Sequence, residues 1–184
     1  MYQKQIEVEV RAVFNEAKYN DLKVFLDQNA KDLGQDDKDV YFYLLPNKVV
    51  KVVNNISKQT AKIVMKLNRV GKGRNEAEEI EIAISPSDFD KAVKFFSELT
   101  FDEVQHSFQK RQNYLFDNVE LALKYSDSWG YHLELEIMID DESKQKEAEI
   151  KLSQVAQKLG VKIMNEEEQK NFAANIDKSY IKNK

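Results

Sequence analysis

Apolar and polar residues alternate strictly from Gln5 to Arg11. Ile6, Val8 and Val10 fall on one face of a strand, and Glu7, Glu9 and Arg11 on the other. The spacing predicts a strand from about Gln3 to Phe14. The same device recurs. Over Ala61 to Leu67, Ile63, Met65 and Leu67 oppose Lys62, Val64 and Lys66. Over Val119 to Tyr125, Val119, Leu121, Leu123 and Tyr125 oppose Glu120, Ala122 and Lys124. Leu133 to Ile139 sets Leu133, Leu135, Ile137 and Ile139 against Glu134 and Glu136. Asp39-Val40-Tyr41-Phe42 starts a further strand, which Pro46-Asn47 turns. Val49 to Val53 reads as a buried strand holding one cation, Lys51. A strand from Arg74 to Ile84 carries Arg74, Glu76 and Glu78 on one face. Val104 to Phe116 is polar and strand-like. Its Lys110 and Arg111 are adjacent, so one of the two points inward, and the parity leaves both open.

Helical spacing interrupts the strands. Asn15 is a cap for Glu16 to Lys31, where Leu22, Phe25 and Leu26 form an apolar stripe; Gly34 ends it, and Gln35 to Asp39 is a polar turn. Ser85-Pro86-Ser87-Asp88 opens a second helix with Phe89, Val93 and Phe96 on its apolar side, running to Leu99. Two more are expected at about Glu142 to Leu159 and Glu166 to Ala174, split by Gly160, with their charge runs solvated. The expected fold class is α+β: an eight-stranded antiparallel closed β-barrel, or tunnel, with helices packed outside. Apolar contacts would wrap its exterior and charges would line its lumen. A length of 184 residues suggests one domain over residues 1–184, with C-terminal helices from about residue 142.

Composition narrows the chemistry. Hydrophobic residues make up 42% and charged residues 33%, so charge has to be placed on purpose or solvated. A formal net charge of −4 argues against nucleic acid and against a polybasic membrane contact. No apolar run approaches membrane-spanning length and the N-terminus lacks an apolar targeting core, so a cytoplasmic protein is expected. With no cysteine, thiolate metal sites and cysteine nucleophiles are excluded. His106 and His132 are the only imidazoles and read as ordinary hydrogen-bonded histidines. Any metal is therefore a hard cation held by carboxylates. The loop Asn68 to Gly73 is basic, but its glycine spacing is not that of a phosphate-binding P-loop.

Two acidic pairs, Glu7/Glu9 and Glu134/Glu136, would converge if their strands faced each other across a closed sheet. Crowded carboxylates repel unless a cation sits among them, and oxygen-only ligands suit Mg²⁺ or Mn²⁺. Arg11, Lys51, Lys66, Arg74, Lys110 or Arg111, and Lys124 come from separate strands and would need a multiply charged anion. A metal and a ring of cations is the logic of phosphoryl transfer. The competing reading is a structural barrel whose charges form wet cross-strand salt bridges, with Lys51 guarding a sheet edge.

Glu7-Val8-Glu9-Val10-Arg11, Asp39-Val40-Tyr41-Phe42, Arg74-x-Glu76-x-Glu78, Gly130 to Glu136, and Ser179-Tyr180 follow one another in that order. As an ordered set they resemble the motifs of the CYTH group, the triphosphate tunnel metalloenzymes, in its class IV adenylate cyclase-like branch. The group includes class IV adenylate cyclases, thiamine triphosphatases and inorganic tripolyphosphatases. The resemblance implies a tunnel with metal held by Glu7, Glu9 and Glu136, helped by Glu134. Arg11, Lys51, Lys66, Arg74 and Lys110 or Arg111 would grip phosphates, with Lys124 added from the charge pattern and Glu7, Glu9 and Arg11 as the catalytic residues. It departs from the pattern in places. Arg11 replaces a lysine, His132 stands where an aromatic usually lies, and Lys124 where an aspartate is common. The strand that usually carries two arginines offers only Lys51, and Gln109-Lys110-Arg111 is one step out of register. The implied function is metal-dependent phosphoryl transfer on ATP, thiamine triphosphate or tripolyphosphate, by cyclisation or hydrolysis. The alternative is a catalytically weakened nucleotide- or polyphosphate-binding module. A homodimer is the default oligomer for such a domain.

Overall fold

The structure, a computed structural model, describes residues 6–67 and 79–181. It is an α+β fold whose antiparallel sheet has nine strands. The chain divides into two compact units. The first comprises Met1–Gln35 and Arg111–Glu167, the second Asp36–Lys110 and Glu168–Lys184.

In the first unit, β1 (Ile6–Phe14) pairs with β9 (Gly130–Ile139), from Ile6 opposite Ile139 to Phe14 opposite Tyr131. Strand β8 (Val119–Ser126) pairs with the other edge of β9. Alternation then sorts the side chains. Val8, Leu121, Leu123, Leu133, Leu135 and Ile139 point to one face, where α1 (Glu16–Asn29) brings Leu22 and Leu26 and α3 (Gln145–Lys158) brings Leu152 and Val155. Each such leucine withdrawn from water stabilises by about 1.5–3 kcal/mol, so this face fixes which side the helices cover. The Asn15 side chain accepts from the Lys18 amide at 2.9 Å, capping α1 as its position predicts. The turn from β7 (Glu103–Phe116) into β8 uses Asp117 and Asn118, both left-handed at φ 54° and 62°.

In the second unit the first half of β7 pairs with β3 (Lys38–Leu44), followed by β4 (Val49–Asn55), β5 (Thr60–Lys66) and β6 (Glu79–Ile84). Tyr43, Val50 and Val52 pack with Phe89 at the start of α2 (Phe89–Ser97), and the Tyr43 hydroxyl donates to the Val93 carbonyl at 3.0 Å. Helix α4 (Glu166–Ile181) ends the described chain. No helix among the described residues is long and apolar enough to cross a membrane.

Two expectations need correction. The sheet is not closed into a barrel: its order is β1-β9-β8-β7-β3-β4-β5-β6, and among the described residues β1 and β6 are its ends. The segment after α3 takes part of β1's outer edge, where the Met164 amide donates to the Arg11 carbonyl at 2.8 Å. That hydrogen bond is one a closing strand would otherwise make. The second correction is a ninth strand. Lys31–Gln35, read as helix end and turn, forms β2 and pairs with the far half of β7. Its sequence Lys-Asp-Leu-Gly-Gln has no alternation to announce a strand. It is held by its partner, and the register shifts between Asp32 and Gly34, where Gly34 adopts φ +93°. The predicted face of Arg74, Glu76 and Glu78 lies outside the described residues.

Candidate active site

The face of the first unit turned away from α1 and α3 is ionic. Cross-strand register arranges it in rows. Glu9 lies opposite Glu136, which lies opposite Glu120; Arg11 lies opposite Glu134, opposite Ala122; Val13 lies opposite His132, opposite Lys124. Glu7/Glu9 and Glu134/Glu136 thus meet because β1 and β9 are neighbours in the sheet. The sequence reading required them to meet across a lumen, and direct pairing makes that unnecessary.

Glu134 is the hub. Arg11 Nε donates to its Oε1 at 3.0 Å, Lys124 Nζ to its Oε2 at 3.0 Å, and Arg111 Nη1 stands 3.8 Å from that same Oε2. Arg11 also bridges to Glu9, Nη2 to Oε1 at 2.6 Å. Arg111 is steadied by Asn113, whose Oδ1 accepts from Nε at 2.7 Å. The side chains are mostly enclosed: Glu134 is 13% exposed and Lys124 10%. Low exposure strengthens each charge interaction relative to water.

The carboxylates respond to this field in opposite ways. Burial works against ionising Glu134, but Lys124 and Arg11 outweigh it and hold its carboxyl well below the usual range. Burial pushes Glu9 up to about 7, against the pull of Arg11 and with help from Glu134 and Glu7. Glu136 is raised by burial and by its neighbours Glu9 and Glu120. Burial and then Lys124 depress His132 to about 4, so its ring is neutral; Nδ1 lies 2.9 Å from the Gly130 carbonyl. Arg11 is raised, since Glu9 and Glu134 outweigh the cost of burial. Glu134 therefore has its charge compensated, while Glu9 and Glu136 have too little positive charge near them even with Arg11 on Glu9.

The acids thus differ in how much positive charge already holds them. Glu9 and Glu136 are oxygen donors in a crowded row, and an added cation would relieve their repulsion. Glu134 meets more cations than Glu9, with Arg11 on one oxygen and Lys124 on the other, whereas among the described residues Glu9 meets Arg11 alone. Glu7 is exposed and hydrogen-bonds Glu9 at the edge of the row. Among the described residues no three acids or histidines form a ready-made metal cage. Mg²⁺ commonly needs no such cage, taking one or two carboxylates and completing its shell with water and phosphate oxygens.

The remaining predicted cations belong to the second unit or to the residues not described. Lys51 and Lys66 share one face of the second unit, with Lys51 Nζ 5.8 Å from the centre of the Phe42 ring. Lys110 is an exposed residue of the second unit, on the face opposite Lys51, whereas Arg111 approaches Glu134. Arg74 is outside the described residues. Sequence reasoning missed Trp129, whose ring centre is 5.4 Å from Arg11 Cζ, and Asn113. It also read Glu120 merely as a strand residue, although alternation placed it beside Lys124. A lone tryptophan in a turn, next to a strand of alternating charge, was the available signal for Trp129.

Comparison with known proteins identifies the family and the fold. The CYTH domain family model matches residues 5–169. A conserved hypothetical protein of Pyrococcus furiosus is similar at 25% identity and TM-score 0.66, covering 85% of this chain and 92% of that one. A Pyrococcus horikoshii protein is similar at 26% identity and TM-score 0.65, with coverage of 85% and 92%. A Hippeastrum protein described as having a dominant triphosphatase activity shares the fold at 13% identity and TM-score 0.59, with coverage of 87% and 90%. No curated protein matches the sequence. With the family model matching nearly the whole chain, the chain belongs to the CYTH domain family.

Proposed function

We propose that the chain is a metal-dependent phosphoryl-transfer enzyme acting on a small triphosphate, by hydrolysis in preference to cyclisation. One observation carries the reading: Arg11, Lys124 and Arg111 converge on Glu134, and Arg11 joins it to Glu9 in the cross-strand acid row of Glu9, Glu136 and Glu120. Glu9 and Glu136, with Glu7 at the edge, would hold Mg²⁺ or Mn²⁺. Bound there, the cation supplies charge neutralisation on phosphate oxygens. Arg11 is fixed by two carboxylates, so its guanidinium is oriented before substrate arrives and loses little freedom on binding. Lys124 and Arg111 add charge from two further strands and exchange part of their contact with Glu134 for phosphate oxygens. The family resemblance implies phosphate contacts for Lys51, Lys66 and Arg74 as well. The triphosphatase activity described for the Hippeastrum protein supports hydrolysis as the first reaction to test.

Incubation with tripolyphosphate, ATP and thiamine triphosphate, each with Mg²⁺ or Mn²⁺, tests this. Release of orthophosphate supports hydrolysis, and release of pyrophosphate with cyclic nucleotide supports the cyclase. The second reading is a binding module without turnover. It is favoured by Glu134, which already neutralises the cations a substrate would need. Metal-dependent binding of these compounds with no product released would select it.

A further inference from the structure

The ionic face has a direction. Its acid row, Glu9–Glu136–Glu120, lies four residues along β9 from the His132–Lys124 pair, about 13 Å at the usual strand rise. At that second end stands Trp129, the single tryptophan of the chain, half-buried in the turn between β8 and β9. Its backbone amide donates to Oγ of the buried Ser126 at 3.1 Å, and Gly130 at φ +65° lets the chain fold back beside it. The Arg11 guanidinium lies against the indole at 5.4 Å, and the His132 ring centre is 5.6 Å away.

A hydrated inorganic polyphosphate gains nothing from an indole, whose face is electronegative. A flat nitrogen heterocycle does gain, because stacking on an aromatic side chain is favourable for every base. We propose that Trp129 is the specificity-determining residue of this site, selecting a triphosphate ester with a flat heterocyclic group over inorganic tripolyphosphate. The ester is oriented with its heterocycle at Trp129 and its terminal phosphates toward Glu9 and Glu136. Arg11, which touches both the indole and the acid row, links the two ends. The proposal rests on the ionic face being a triphosphate site.

Calorimetric titration of wild type, Trp129→Leu and Trp129→Phe with Mg²⁺–ATP and Mg²⁺–tripolyphosphate separates the two ideas. In Trp129→Leu the ATP dissociation constant rises about tenfold or more while that of tripolyphosphate changes by less than about twofold, and Trp129→Phe recovers most of the ATP affinity. Equal losses for both ligands overturn the proposal, since Trp129 would then serve only to hold Arg11. Wild type that binds tripolyphosphate but not ATP overturns it too, leaving the triphosphate site intact. Wild type that binds neither overturns both. The single indole gives a check that needs no variant: ATP shifts or quenches its fluorescence at saturation and tripolyphosphate does so far less. Equal responses count against the proposal.

Discussion

Arg11 and Glu134 are direct cross-strand partners in β1 and β9, joined by an Nε–H···Oε1 hydrogen bond of 3.0 Å. The third residue in that row is Ala122 on β8, buried and too small to fill the space beside Glu134. Lys124 and Arg111 reach the same carboxylate. Glu134 therefore acts as an internal counter-ion that sets the positions of three bases.

Removing that counter-ion has two opposite consequences. In Glu134→Gln the bases lose their partner in a mostly enclosed setting, and the protein loses about 3 kcal/mol of stability in a urea titration. The freed charges then bind anions more strongly. Tripolyphosphate without metal raises the melting temperature of the variant by more than it raises that of wild type. If Glu134 were instead a metal ligand, the variant would gain no extra stabilisation from the anion and would lose metal affinity.

Arg11 engages Glu9 through Nη2 and Glu134 through Nε. An ammonium has no planar fork with which to hold both in register. Arg11→Lys keeps the charge and lowers kcat/KM for the triphosphate by about tenfold or more, measured as phosphate release. An unchanged kcat/KM would mean that charge alone is used at this position.

The second unit makes a separate prediction about acid. Asp36 accepts from Lys38 at 2.8 Å, Lys58 at 3.0 Å and Asn55 at 2.6 Å. Burial opposes its ionisation, but these three partners prevail and hold its carboxyl far below the usual range. As pH falls, the unfolded chain takes up a proton at this aspartate near the ordinary value of about 3.9, while the folded chain does not. The stabilisation is therefore present above that value and is lost progressively below it. Asp36→Asn lowers stability at pH 7 by about 1–2 kcal/mol and flattens the decline below pH 4, followed by thermal melts across pH. Parallel acid profiles for variant and wild type would contradict this.

The sequence showed which residues share a face and left open which strands are neighbours. Alternation in Gln5–Arg11 and Leu133–Ile139 put Glu7, Glu9 and Arg11 on one side and Glu134 and Glu136 on one side. Pairing of segments more than a hundred residues apart leaves no local trace. For that reason closure was invoked to bring together acids that are cross-strand neighbours. Alternation on β7 could not choose between Lys110 and Arg111; the approach of Arg111 to Glu134 brings it to the ionic face. Lys31–Gln35 was unreadable because its partner strand, and no pattern of its own, makes it extended. Trp129 carried only the weak signal of a lone turn tryptophan, because a turn residue's role depends on which ladder ends beneath it.

The open edge of β1 can be probed at Met164, whose amide donates to the Arg11 carbonyl. Met164→Pro removes that donor and costs about 1 kcal/mol, and the wild-type Met164 amide exchanges slowly with deuterium. Fast exchange at Met164 would show that the segment after α3 does not hold this edge.

In the proposed site the row begun by Glu9 and the bases around Glu134 bind metal and triphosphate together. Phosphate release from tripolyphosphate and ATP with Mn²⁺, compared among wild type, Glu9→Gln and the surface variant Lys158→Met, checks this. Glu9→Gln should lose about a hundredfold or more in rate, as expected when charge stabilisation in a phosphoryl-transfer site is removed, while Lys158→Met, altered at its exposed pair with Asp117, stays within about twofold of wild type. Wild-type turnover that survives intact in Glu9→Gln would contradict the account.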